Sequence, residues 1–84
     1  QLWRASFFLI DYLLNNVNII QNKILVDLGA GLGLTSILSS VYADIVFCTD
    51  IGTVVNQAKK NYDLNKNILN EIMANKNREA KIIF

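Results

Sequence analysis

The sequence contains no histidine, no proline and a single cysteine, Cys48. Without histidine, and with only one thiol, the chain cannot assemble a Cys/His metal site or an internal disulfide. The lone cysteine places the expected compartment inside the cell, in the reducing cytoplasm or nucleus. Charge is also sparse: 18% of residues are charged and the net charge is +1. Lys23, Lys59, Lys60, Lys66, Lys76, Arg78 and Lys81 are dispersed among acids rather than gathered into a stripe, so the sequence carries no footprint for nucleic acid. No membrane-spanning run is present either. The most apolar stretch, residues 2–14, is interrupted by Arg4 and Asp11 and falls short of the roughly 20 residues a span requires. The start also lacks the basic region and small-residue cleavage site of a signal peptide.

What the sequence has is apolar content: 52% of its residues are hydrophobic, too many for a disordered segment and enough for a buried α/β core. Eighty-four residues make one unit at most, and a chain this small buries only about 60% of its unfolded surface. Gln1 at one end and the apolar run Ile82-Ile83-Phe84 at the other read as the ends of a fragment.

Trp3, Phe7, Ile10 and Leu14 recur at three- and four-residue steps and predict a helix over residues 3–15 that packs on a sheet. After an asparagine-rich break, Ile24-Leu25-Val26 predicts a short strand buried on both sides. Glycines at 29, 31 and 33 close it, and helical spacing resumes through Leu34, Ile37, Leu38 and Val41 over residues 34–42. Ile45-Val46-Phe47-Cys48 predicts a second strand ending at Asp50, followed after Gly52 by a helix over residues 53–64. Residues 65–77, rich in Asn and Lys, read as a frayed helix end and loop, and residues 80–84 as a third strand. The fold class is therefore α/β: a Rossmann-like parallel sheet in β-α-β-α-β order behind an N-terminal helix, with ligands expected at the carboxyl ends of the strands.

The chemistry concentrates in Asp27-Leu28-Gly29-Ala30-Gly31-Leu32-Gly33 and in Asp50. A glycine turn between strand and helix lets main-chain amides approach a ligand, since a side chain at Gly29 or Gly31 would occupy the ligand's space. The spacing is G-x-G-x-G. The dinucleotide fingerprint would need glycine where Leu34 stands, which disfavours a pyrophosphate cofactor. Asp27, just before the glycines, would repel a pyrophosphate but suits a ligand bearing ammonium and sulfonium groups, as S-adenosylmethionine does. Asp50, at the end of the next strand, is placed to accept hydrogen bonds from both ribose hydroxyls.

Each feature also has a plainer reading. A lone glycine turn is weak evidence of a ligand, and Asp50 taken alone is an ordinary strand-end or helix-cap acid. Cys48 sits between apolar neighbours as a small hydrophobe and is assigned no role. Trp3 is equally well a core aromatic or a flank for an adenosyl ligand.

Three stretches resemble the seven-β-strand (class I) protein-lysine methyltransferases: Leu2-Trp3-Arg4-Ala5-Ser6, the run from Val26 through the glycines to Leu34, and Phe47-Cys48-Thr49-Asp50-Ile51-Gly52. Asn61-Tyr62-Asp63-Leu64-Asn65 narrows the match, and the Trp-Arg-Ala opening and Cys-Thr-Asp-Ile-Gly run resemble one branch of that family most. The resemblance covers nearly the whole chain but only the first half of the family's domain. Residues 1–84 would then be a partial S-adenosylmethionine-binding domain, inactive by itself and lacking the acceptor-site motif, so no catalytic residue is named. It implies S-adenosyl-L-methionine as cofactor, a protein lysine as methyl acceptor, cofactor contacts from Trp3, Gly29, Ala30, Gly31 and Asp50, and a pocket shaped by Asp27 and Gly33. Two alternatives stay open: a methyltransferase acting on nucleic acid or a small molecule, and a non-catalytic interaction module with the same fold.

Overall fold

The computed structural model describes residues 4–76 and 79–84. Trp3 lies outside the described residues. The element order is α1 (Arg4–Leu14), a 3₁₀ turn (Val17–Ile19), β1 (Ile24–Asp27), α2 (Leu34–Ser39), β2 (Ile45–Cys48), α3 (Gly52–Ala74) and β3 (Ile82–Ile83). The three strands form one parallel sheet in the order β1-β2-β3, with Ile24 beside Ile45, Asp27 beside Cys48, and Val46 beside Ile82. The expected α/β class and strand–helix alternation are what the chain adopts.

Burial alternates along the strands. Leu25, Val46, Cys48 and Ile82 turn towards the helices, whereas Ile24 and Val26 are 67% and 61% exposed. This corrects the expectation that β1 is buried on both sides. Strands laid down in consecutive order and joined by right-handed crossovers put both crossover helices on one face of the sheet. The apolar run of β1 has the composition of a doubly covered strand, but among the described residues only one of its faces is covered.

On the helix side, Ile37 and Val41 meet Leu69 and Met73 from α3, with Tyr42, Tyr62, Ala80 and Ile82 packed around them. This cluster explains why α3 runs to Ala74 instead of ending near residue 64. Leu69 and Met73 are one turn apart and both buried, so tertiary packing carries the helix through the Asn/Lys-rich segment whose propensity is weak. Helix α2 is shorter than its periodicity suggests: the Ser40 hydroxyl donates to the Ile37 carbonyl at 2.6 Å and the Val41 amide to Leu38, tightening the chain into a turn. Helix α1 lies against α2 with Ile10 and Leu13 half-buried, while Phe7 and Leu14 of the predicted stripe are exposed. The face that packs is rotated from the predicted one because the helix lies against α2 rather than flat on the sheet. No helix among the described residues is long and apolar enough to cross a membrane.

Candidate functional site

The parallel ladder between β1 and β2 continues past the last strand residues. The Thr49 amide and hydroxyl both donate to the Asp27 carbonyl, at 3.0 and 2.8 Å, and the Ala30 amide donates to the Thr49 carbonyl at 2.9 Å. One step further, the Gly31 amide donates to Asp50 Oδ2 at 2.8 Å, and the Ile51 amide to Oδ1 at 2.7 Å. The two strand tips are thus drawn together, and Asp50 and the glycine turn share one site.

Above these tips lies a cleft of about 490 Å³, lined by Gly29, Ala30, Gly31 and Leu32 of the turn, Asp50 and Ile51, Ser6 of α1, and residues at the start of α3. Its volume falls in the range of about 300–1,000 Å³ typical of small-molecule sites. Gly29 and Gly31 hold left-handed backbone (φ +64° and +58°), and a Cβ built on either meets nothing within 4 Å. The turn thus borders open space and lets a ligand approach the main chain closely.

Asp27 and Gly33 stand apart from that lining. Asp27 Oδ2 accepts the Ser36 hydroxyl at 2.6 Å, and Asp27 borders a separate small cavity between α1, β1 and α2. Its carboxylate ties the end of β1 to α2. Gly33, at the start of α2, is buried with φ +84°, and a Cβ there would lie 2.6 Å from the Ala58 Cβ. Its bare Cα is what lets α2 and α3 close on each other. Among the described residues lining the cleft, Asp50 is the charged one.

The sequence reading did not single out Ser6, Ile51, Thr53, Val54 or Gln57, which the fold brings to the cleft. A signal for the last three was available: the helix that follows a strand-end acid starts at the ligand crevice, and positions 53, 54 and 57 share a face of its first turns. Cys48 is buried one strand residue below. Burial pushes its thiol above the usual value, with the Asp27 and Asp50 charges adding and a bond to Ser36 opposing. That keeps it protonated and inert. Among the described residues no group of three or more His, Cys, Asp or Glu is gathered to hold a metal.

A parallel α/β sheet with a glycine turn after its first strand and an acid after its second has the layout in which open α/β folds place ligands, at the carboxyl ends of the strands. The chain belongs to the lysine methyltransferase family, whose family model matches residues 1–78. It is similar to methyltransferase-like protein 22 of Mus musculus (38% identical over 69 residues, 81% of this chain and 18% of that protein). It is likewise similar to methyltransferase-like protein 22 of Homo sapiens (35% over 69 residues, 81% of this chain and 17% of that protein). The chain therefore spans less than a fifth of the length of these curated relatives. No solved structure matches it.

Proposed function

We propose that residues 1–84 form the N-terminal part of an S-adenosylmethionine-dependent methyltransferase domain whose acceptor is a lysine of a protein. The observation that carries this reading is the hydrogen bond from the Gly31 amide to Asp50, which brings the glycine turn and the strand-end acid together on one open cleft. The residues suit this cofactor. Asp50 keeps acceptor lone pairs beyond the two amides it binds, enough for ribose hydroxyls, and its negative charge favours a cationic ligand over a pyrophosphate. Gly29, Ala30 and Gly31 offer a surface without bulky side chains for close approach.

The bound cofactor would supply an electrophilic methyl group on a sulfonium. This segment's work is binding and orientation: Asp50 holds the nucleoside end, the glycine turn accommodates the remainder, and α1 with Ser6 flanks the cleft. The lysine acceptor is supported by the family's description. An intracellular setting, cytoplasmic or nuclear, goes with this reading and is supported by the buried free thiol of Cys48.

The test is calorimetric titration of the full-length protein with S-adenosylmethionine. Asp50→Ala removes two charge-assisted acceptor bonds and is expected to weaken binding by at least about tenfold. Unchanged affinity would remove Asp50 from the site. Incubating the full-length protein with cofactor and a protein extract, then mapping methylated residues by mass spectrometry, tests the acceptor. Modification confined to residues other than lysine would overturn it.

A further inference from the structure

We propose that Asn61 of α3 is a positioning residue for the cofactor cradle, acting through the carbonyl of Leu32. The inference rests on the cofactor reading above and gives a task to a residue that reading leaves unused. The first half of the glycine turn is held by the segment that follows β2, through Ala30 to Thr49 and Gly31 to Asp50. The second half is closed by the Gly33 amide donating to the Ala30 carbonyl at 2.9 Å, and from outside the turn it is met by α3.

Ala58 fills the space beside Gly33, and Asn61 Nδ2 donates to the Leu32 carbonyl at 2.8 Å across 29 residues of sequence. Positions 58 and 61 are three apart and so share one face of the helix. Leu32 lines the cleft and Asn61 does not, so the amide sets the cleft wall without touching its contents. Asn65, one turn later, has the same side chain, but its amide donates at 2.8 Å to the Asn61 carbonyl within the helix. It supplies the same chemistry with no tie to the turn.

In the full-length protein, Asn61→Ser, Asn61→Asp and Asn65→Ser are compared by calorimetric titration with S-adenosylmethionine, by melting without ligand, and by amide exchange. Serine is too short to reach Leu32, and an ionised aspartate has no proton to donate. Both Asn61 variants are expected to bind about five- to tenfold more weakly, with Asn65→Ser unchanged, as loss of one hydrogen bond implies. Exchange at amides 31–33 is expected to quicken in the Asn61 variants while that of β1 and β2 holds.

Asn61 variants that bind within about twofold of wild type overturn the proposal, since that is less than one hydrogen bond's worth. An equal loss in Asn65→Ser, or a loss matched by global destabilisation without faster local exchange, overturns it as well. A wild-type protein that does not bind the cofactor overturns the underlying reading, and this inference with it.

Discussion

At the scale of single residues, the glycines of the turn do different jobs. Gly29 and Gly31 border open space, whereas Gly33 is a packing position where a methyl group would collide with Ala58 and where φ is +84°. Gly33→Ala combines left-handed strain with overpacking and is expected to destabilise the protein by about 2–4 kcal/mol, read from the midpoint of urea unfolding. Adding Ala58→Gly removes the collision but not the strain, so the double variant should lose less than the single changes summed. Strict additivity would show that the two residues do not press on each other. The sequence pattern identified all three glycines as one motif. That the third serves helix packing depends on residue 58, which lies 25 positions away and forms no local pattern with it.

At the scale of elements, the long third helix shows how packing overrides propensity. Its second half carries Asn and Lys in abundance, and the periodic apolar residues there are Leu64, Ile68, Leu69, Ile72 and Met73. Leu69 and Met73 are buried against α2 and β3, whereas Leu64 is 82% exposed. Met73→Ala is expected to cost about 2–5 kcal/mol in urea unfolding, as core truncations do. Leu64→Ala should change stability by no more than about 0.5 kcal/mol. Equal effects would mean that the helix does not pack by the 69/73 stripe. The strands were legible from short apolar runs bounded by glycine and aspartate. The length of α3 was not, because its support comes from two other elements.

At the scale of the whole molecule, one face of the sheet carries the helices and the other presents Ile24, Val26 and Ile83 to solvent, with Phe47 between them in register. Parallel sheets are ordinarily covered on both faces, and apolar patches of this kind promote association. The 84-residue segment, produced on its own, is therefore expected to bind an apolar fluorescent dye and to self-associate as concentration rises in sedimentation experiments. Ile24→Lys with Val26→Lys should reduce both effects. Undiminished dye binding would locate the exposed apolar surface elsewhere.

Local spacing alone was enough to reveal the α/β alternation, the glycine turn and the acid that follows the second strand, because each depends on neighbours a few residues away, and the handedness of strand–helix–strand crossovers turned that alternation into parallel order. It could not say which way side chains face once the strands pair. Tertiary closure directed Asp27 to Ser36, bonded Asp50 to the Gly31 amide, set Gly33 against Ala58, and left open one face of a strand whose composition suits burial on two. Contacts between residues distant along the chain exist only once the backbone has closed, so no window of sequence contains them.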